Sequence, residues 1–354
     1  MDLKQISVHV IKKYQHISGA YVASPCFENY KYCWLRDGSF IAYSMDCVGE
    51  HESAGQFYEW VHSTILKQKD RLDHLLNKFK NHEVLRGEDF LPCRYTLEGK
   101  ETKDDWPNFQ LDGYGTWLWG LCEHIEITNN PNLLKTYKES IEMTICYLCS
   151  FWKHPNSDCW EENENQIHPS TLACIYGGLQ AMNRYYKRES VESVIMEIKN
   201  YLKHQAVLDG RFVKHIGSTS VDASLLWLAV PFRVFDIHDP YMKETVRKIE
   251  SDILFEGGVR RFPEDTYYGG GEWILLSGWL GWYYKEAGRQ EEARKQLDWM
   301  EAQADNNGLM PEQSIKHVND SSFIQHWTDL WGDVAKPLLW SHALYLILQK
   351  KLTE

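Results

Sequence analysis

The segment Trp160-Glu161-Glu162 places two adjacent carboxyl groups beside an indole, between two segments that are predicted to be helical. A carboxyl group against an aromatic wall has its ionised form disfavoured, so it can hold a proton near neutral pH and donate it. The same residues also fit an acidic loop that connects two helices, with the Trp packed on the core. The segment alone leaves a general acid and a solvated loop both open.

Two other loops carry acidic residues that could complete a catalytic pair. Pro311 fixes the backbone directly before Glu312, and a further acidic pair lies at 264–265. Cleavage of a glycosidic bond needs two carboxyl groups on opposite faces of the scissile bond, one protonated and one ionised. Glu161 and Glu312 lie on separate loops, as two independently placed groups can, although Glu312 by itself also fits an ordinary surface glutamate.

The adjacent residues Arg36 and Asp37 offer a paired donor and acceptor, which can bind neighbouring sugar hydroxyl groups. The structural alternative is an ion pair at the start of a helix, with Asp37 as the N-terminal cap. Tryptophan side chains near the loops could stack on sugar rings, although each also suits a buried core position. These residues are Trp34, Trp106, Trp160 and Trp340.

The charge and the aromatic content of the chain indicate which classes of binding partner are compatible with it. The 354 residues carry a net charge of -12 without a basic cluster, which argues against nucleic acid and anionic membrane surfaces as partners. Aromatic residues make up 14% of the chain, and their faces pack well against the C–H faces of sugars, although a large helical core would also contain many. The sequence indicates no metal site and no need for a cofactor.

The cysteine content and the absence of targeting signals predict a cytoplasmic protein. No apolar run approaches the roughly 18 residues of a membrane span, and the N-terminal residues lack a basic-then-apolar signal pattern. The chain has 9 scattered cysteines, an odd number that is typical of reduced thiols. Cys146 and Cys149 lie in an apolar helical pattern, so we expect them to pack in the core and not to bind zinc.

The periodicity of apolar residues predicts about a dozen helices and almost no strand. Long loops rich in aromatic residues follow every second helix, and long loops in a compact domain are usually functional. Helical hairpins arranged in a ring would bring these loops together at one end. No linker divides the chain, so we predict one all-α domain over 1–354. Helices are expected at about 1–14, 39–49, 52–79, 111–127, 132–152, 169–187, 190–204, 221–230, 240–256, 273–286, 289–304 and 338–351.

Six segments in the same order resemble glycoside hydrolase family 15, which comprises glucoamylases, glucodextranases and related exo-acting α-glucosidases. Residues 30–37 look like the family's Tyr-x-x-x-Trp-x-Arg-Asp segment, whose Arg-Asp pair holds the non-reducing glucose. Residues 261–265 are similar to Arg-Tyr-Pro-Glu-Asp, whose Arg binds the same glucose. The other four segments are 106–113, 160–162, 221–226 and 308–313, and the likeness extends to the helix that starts near Trp340.

The resemblance implies an (α/α)6 barrel, a toroid of six helical hairpins, with the site at the end that carries the long loops. It implies that Glu161, protonated, is the general acid and that Glu312, ionised, activates a water on the opposite face. Such an inverting division requires carboxyl groups roughly 6.5–9.5 Å apart. The residues expected to contact the sugar are Tyr30, Trp34, Arg36, Asp37, Trp106, Trp160, Glu162, Arg261 and Trp340. Glu264 and Asp265 are expected to brace Arg261 and its loop.

The expected reaction is exo-hydrolysis of a terminal α-linked glucose from a short oligosaccharide, with release of β-glucose. An α-1,6 substrate such as isomaltose is preferred over maltose, trehalose or kojibiose. Two parts of the chain depart from the family pattern: residues 163–169, and the long spacing between Glu312 and Trp340, which contains Trp327 and Trp331. These loops would shape the subsites beyond the first glucose, so the substrate preference depends on them.

Two other functions fit the same fold. A phosphorylase on a related helical barrel would replace the catalytic base with a phosphate site, and Glu312 argues against that. A non-catalytic sugar-sensing domain should lose one of the two carboxylates, and both are present here. The oligomeric state is not predicted.

Overall fold

The computed structural model describes residues 1–102, 104 and 106–354, and it is mostly helical. None of the helices in these ranges is long and apolar enough to cross a membrane. The α-helices of the described residues are α1 (Leu3–Tyr14), α2 (Leu35–Cys47), α3 (His51–Leu66), α4 (Lys69–Lys80), α5 (Asp112–Thr128), α6 (Asn132–Thr136), α7 (Lys138–Phe151), α8 (Pro169–Tyr186), α9 (Glu189–Gln205), α10 (Pro240–Asp252), α11 (Ile274–Glu286), α12 (Gln290–Ala302), α13 (Ser322–Trp331) and α14 (Leu339–Thr353).

The inner ring of the molecule is formed by α2, α5, α8, the 3-10 helix Ala223–Leu228, α11 and α14. Each of these elements packs on the next, and α14 packs back on α2, so the ring is closed. An outer helix packs on each inner element: α3, α7, α9, α10, α12 and α1, in the same order. The predicted (α/α)6 barrel of six helical hairpins is therefore confirmed.

The two rings differ in how much of each helix is apolar. In α11 every residue from Ile274 to Tyr284 is buried, as expected for a helix that is covered on all sides. The outer helix α10 buries only Met242, Thr245, Val246 and Ile249, a single stripe at helical spacing. These burial patterns match the positions of α11 in the inner ring and α10 in the outer ring.

Two glycines allow α5 and α8 to approach closely. A Cβ atom on Gly178 would lie 2.2 Å from the carbonyl oxygen of Gly115, and one on Gly115 would lie 2.3 Å from the carbonyl oxygen of Cys174. No side chain fits at either position, because both neighbours are backbone atoms. Below the loops, aromatic rings fill the barrel: Phe40 stacks on Trp340 with ring centroids 5.7 Å apart.

Short antiparallel strands join the loops at the end of the barrel where the site was expected. Strand β1 (Cys33–Trp34) pairs with β2 (Arg94–Tyr95), and β3 (Val207–Leu208) pairs with β4 (Arg211–Phe212). The four strands β5 (Leu254–Phe255), β6 (Gly258–Val259), β7 (Glu272–Trp273) and β8 (Gln313–Ser314) form one sheet in this order. Two-residue strands are too short for an alternating pattern, so the sequence did not reveal them.

The structure corrects several predicted elements. The predicted helices 52–79 and 132–152 are each divided in two, and the inner element predicted as a helix at 221–230 is a 3-10 helix. The segment 308–336, predicted to be a loop, contains α13.

Two interpretations of single residues also differ from the structure, namely the alternative role of Asp37 as a helix cap and the expected core position of Cys146 and Cys149. Asp37 does not cap α2: Trp34 is the N-cap residue, and Asp37 is the third residue of the helix. Cys146 is exposed and does not pack in the core as expected, whereas Cys149 is half-buried and packs against the core. All 9 cysteines have free thiols.

Candidate active site

The long loops surround a cavity of about 750 Å³ at one end of the barrel, a size typical of small-molecule sites. The N-cap residues of α2, α11 and α14 line it: Trp34, Trp273 and Leu338. These three helices therefore begin at the cavity, with the positive ends of their dipoles toward it. Every residue predicted for catalysis or sugar binding lines the cavity: Tyr30, Trp34, Arg36, Asp37, Trp106, Trp160, Glu161, Glu162, Arg261, Glu312 and Trp340.

Arg36 organises the acidic residues on one side of the cavity. Its side chain is 4% exposed, and Nη1 donates to Asp112 Oδ2 at 2.9 Å and to Gln110 Oε1 at 2.7 Å. Nη2 donates to Glu161 Oε1 at 3.4 Å, and Gln110 Nε2 donates to the same oxygen at 3.2 Å. Gln110 thus fixes Arg36 and Glu161 relative to each other, because it contacts both side chains, and Asp112 holds Arg36 in place.

Arg36 and Asp37 form an adjacent donor and acceptor at the cavity wall. Arg36 Nε lies 3.3 Å from Asp37 Oδ2, and neither atom has a hydrogen-bond partner among the described residues. Burial raises the pKa of Asp37 to about 7, although the neighbouring Arg36 lowers it. Sugar hydroxyl groups could satisfy both atoms, since a hydroxyl group donates and accepts.

A tight turn held by Asp158 presents Glu161. Asp158 Oδ1 accepts hydrogen bonds from the backbone N–H groups of Trp160 and Glu162, each at 2.9 Å. Glu161 adopts a left-handed conformation with φ 62°, which is uncommon for a residue other than glycine. Trp160 Nε1 donates to Asp222 Oδ2 at 3.0 Å, which fixes the indole beside the turn. Residues in such sparsely populated conformations cluster at active sites, where the surrounding structure maintains them.

Glu312 lines the cavity from a loop near the C-terminal end of the chain, far in sequence from Glu161. Its backbone N–H donates to the Ala335 carbonyl at 2.9 Å, and its own carbonyl accepts from Ile274 N at 3.2 Å. The residue is 1% exposed, and Oε2 has no hydrogen-bond partner within the described ranges. The free oxygen can therefore accept a proton from a water molecule bound in the cavity.

Burial raises the pKa values of both carboxyl groups. For Glu312 the pKa rises to about 8, because loss of hydration outweighs the favourable effects of Tyr30 and Arg261. For Glu161 burial also raises the pKa, and the charge and hydrogen bond of Arg36 lower it. We expected a protonated Glu161 and an ionised Glu312. The direction for Glu161 agrees with a general acid, whereas the raised pKa of Glu312 opposes the ionised form that a general base needs.

Arg261 forms the second positive group of the cavity. Nε and Nη2 donate to the two oxygens of Asp265 at 2.8 and 2.5 Å, and Nη2 lies 3.2 Å from Glu162 Oε1. Asp265 braces Arg261 as expected. Glu264 braces the loop and not Arg261, because its carboxyl group accepts from Ser220 Oγ.

Tryptophan N–H groups provide further donors at the cavity. The Nε1 atoms of Trp34, Trp106, Trp273 and Trp340 are buried without a hydrogen-bond partner in the described part of the chain, and all four residues line the cavity. Buried indole N–H groups usually find a partner, so these four are suited to bind ligand oxygens. No group of three or more His, Cys, Asp or Glu residues within the described ranges could hold a metal ion.

A search against protein-family models matches residues 3–350 to the model for glycosyl hydrolases family 15. The chain belongs to this family. It is a glycoside hydrolase, and the match covers the loops of the cavity as well as both rings of helices.

Among its relatives in family 15 is an isomaltose glucohydrolase of Kribbella flavida, which is 38% identical over 358 residues, or 99% of this chain and 92% of the relative. A solved glycosidase in complex with glucose has a TM-score of 0.96 at 38% identity and covers 99% of this chain, which covers 96% of it. A bacterial glucoamylase complexed with acarbose has a TM-score of 0.76 at 19% identity, with 98% of this chain and 55% of that chain covered, so it shows the fold alone.

The sequence missed several residues of this family 15 site. Asp112 and Gln110 lie in a segment that carried the resemblance, but the sequence did not reveal that they contact Arg36. Trp273 precedes α11 and Tyr267 follows the Arg261 segment, and their aromatic character next to a glycine-rich stretch was the available signal. Trp327 and Trp331, which lie in the unusually long spacing after Glu312, also line the cavity; the sequence indicated that this loop would shape the outer subsites, but not that these two residues reach the cavity.

Proposed function

We propose that this chain is an inverting, exo-acting α-glucosidase that releases β-glucose from the non-reducing end of short α-linked oligosaccharides. The observation that carries the proposal is that Glu161 and Glu312, from separate loops, line the same cavity as the Arg36–Asp37 pair. A glycosidic bond held between the two carboxyl groups meets a proton donor on one side and a proton acceptor on the other.

In the proposed reaction Glu161 transfers its proton to the glycosidic oxygen while the bond from that oxygen to the anomeric carbon breaks. Glu312 takes a proton from a water molecule, whose oxygen bonds to the anomeric carbon from the opposite face. The products are β-glucose and the shortened sugar. Glu161 is then ionised and Glu312 protonated, so both must exchange a proton with solvent before the next turnover.

Glu312 must lose its proton for this step although burial raises its pKa. Substrate hydroxyl groups and the attacking water bring hydrogen-bond donors to its unpaired Oε2, and such donors favour the ionised form. The four unpaired indole N–H groups and the Arg36–Asp37 pair would bind the first glucose, since together they offer donors and an acceptor around one sugar ring.

We propose isomaltose as the preferred substrate. The support is the Kribbella flavida relative, which is named isomaltose glucohydrolase and aligns over 99% of this chain.

We further propose a single catalytic domain and a cytoplasmic location. The 9 free thiols favour a reducing compartment.

The cavity favours hydrolysis over phosphorolysis. Among the described residues that line it, the only Lys or Arg side chains are Arg36 and Arg261, and carboxylates already hold both. Inorganic phosphate would need a positive group that is not already paired. The sensor alternative is disfavoured because both carboxyl groups line the cavity.

Proton NMR of the reaction in phosphate-free buffer tests the proposal with isomaltose, maltose, trehalose and kojibiose. We expect β-glucose as the first product, fastest from isomaltose, and a loss of at least about 100-fold in kcat for Glu161→Gln. Initial α-glucose would contradict inversion, and turnover only after addition of phosphate would indicate a phosphorylase. Saturable binding of glucose without any turnover would indicate a sensor.

A further inference from the structure

Helix α13 lies outside the barrel, at the rim of the cavity. None of its residues is buried, and it packs on the 3-10 turn Tyr267–Gly269 that follows the Arg261 segment. It occupies the spacing between Glu312 and Trp340 that departs from the family pattern. The core of the barrel therefore does not depend on α13.

The segment that contains α13 is anchored at both ends to the same turn. Before the helix, Asp320 N donates to the Gly269 carbonyl at 3.0 Å. After it, the Gly332 carbonyl accepts from Tyr268 Oη at 2.7 Å. Within it, Trp327 Nε1 donates to the Thr266 carbonyl at 2.9 Å. These three contacts hold α13 in one position above the cavity.

Trp331 extends from α13 across the mouth of the cavity. Its ring centroid lies 5.9 Å from that of Trp106 and 6.4 Å from that of Phe27, which belong to the loops on the other side. Its ring also lies 4.9 Å from Trp327. Trp327 and Trp331 both line the cavity and are half-buried, whereas Arg36, Glu312 and Trp340 are buried. The two tryptophans therefore face the part of a ligand that projects toward solvent.

We propose that α13 determines the chain length of the substrate, with Trp331 as its specificity-determining residue. This inference rests on the proposed function, in which the first glucose binds at Arg36 and Asp37. The second sugar would then stack on Trp331, and the contacts of Trp331 with Trp106 and Phe27 would obstruct a third. The substrate class is a disaccharide in preference to longer α-glucans.

Steady-state kinetics of the full chain with isomaltose, isomaltopentaose and α-glucosyl fluoride test this inference. The fluoride carries one sugar and reports on the catalytic centre without a second ring. We expect Trp331→Ala to lower kcat/KM for isomaltose about tenfold, more than for the fluoride, as loss of one stacked ring would. The ratio of kcat/KM for isomaltose to that for isomaltopentaose should fall by about the same factor.

Leu330→Ala is the matched control, because Leu330 lies on α13 but is 56% exposed and does not line the cavity. It should leave the isomaltose to isomaltopentaose ratio at the wild-type value. Trp331→Phe should restore part of the ratio, which would exclude a general unfolding of α13. An unchanged ratio in Trp331→Ala, with an active wild type, would overturn the chain-length inference alone. A wild type that cleaves neither the fluoride nor any disaccharide would overturn the proposed function and this inference together.

Discussion

At Glu312, burial and the proposed role as general base act in opposite directions. The side chain is 1% exposed, and burial raises its pKa from 4.5 to about 8. Between pH 4.5 and pH 8, the folded protein therefore keeps a proton on Glu312 that the unfolded chain releases. The free energy of unfolding therefore falls as pH rises through this window, by up to about 5 kcal/mol. Active-site residues commonly reduce stability in this way.

Replacement of Glu312 by Gln should abolish hydrolysis and stabilise the fold. Gln has a similar shape and no charge, so the variant should exceed the wild type in free energy of unfolding by several kcal/mol at pH 9 and by much less at pH 5. Urea unfolding at the two pH values measures this difference. The exposed residue Glu164 supplies the control Glu164→Gln, which should show no such pH-dependent gain. Equal stabilisation at both pH values would contradict a raised pKa at Glu312.

At the scale of secondary structure, close packing of inner helices places the loops. Helices α5 and α8 meet at Gly115 and Gly178, where backbone contacts backbone. Asp112 begins α5, and the loop that carries Glu161 leads into α8. A displacement of these two helices would therefore change the distance between Arg36 and its partners Asp112 and Glu161.

Gly178→Ala should destabilise the protein by about 1–3 kcal/mol, because the new Cβ atom would lie 2.2 Å from the Gly115 carbonyl oxygen. Activity should fall as well, since the Arg36 contacts would shift. Gly55→Ala is the matched control: this glycine is in α3, and its nearest neighbour would be 3.7 Å from the added Cβ. It should be neutral or stabilise by up to about 1 kcal/mol through helix propensity. Thermal unfolding and kcat/KM compare the two; equal stability would contradict the packing argument.

At the scale of the whole molecule, the ring closes where the two ends of the chain meet. His342 in α14 accepts a hydrogen bond from Met310 N at 3.1 Å through Nε2, and its Nδ1 lies 2.9 Å from Ser7 Oγ in α1. The His342 imidazole is therefore neutral, with its proton on Nδ1. Burial lowers the pKa of His342 from 6.5 to about 3. This residue links the closure of the barrel to the segment that presents Glu312.

A depressed pKa at His342 makes the closed ring sensitive to acid. Between pH 6.5 and 3 the unfolded chain binds a proton that the folded protein excludes, so the free energy of unfolding falls as pH decreases, by about 2 kcal/mol at pH 5. His342→Gln keeps one donor and one acceptor but cannot titrate. Denaturant unfolding at pH 5 and pH 7.5 measures how much the free energy of unfolding falls between these pH values. This fall should be about 2 kcal/mol smaller in the variant than in the wild type. The same pH dependence in both proteins would contradict this assignment.

The amino-acid sequence by itself determined the fold class and eleven of the residues that line the cavity. Helical periodicity is a local property, so most helices could be predicted from it. The order of six loop segments identified the family, and all eleven predicted site residues line one cavity. Periodicity nevertheless missed α13, although this helix is also a local element.

Only the tertiary structure decided how these residues act on one another. That Asp112 and Gln110 hold Arg36 and Glu161, that Glu312 is buried with a free oxygen, and that Trp331 crosses the cavity mouth all depend on contacts between distant segments. Hydration, and with it the pKa of an acid, depends on everything that surrounds the group. The sequence determines which residue types are present. Their protonation and their contacts depend on neighbouring residues that are brought together only when the ring of helices closes.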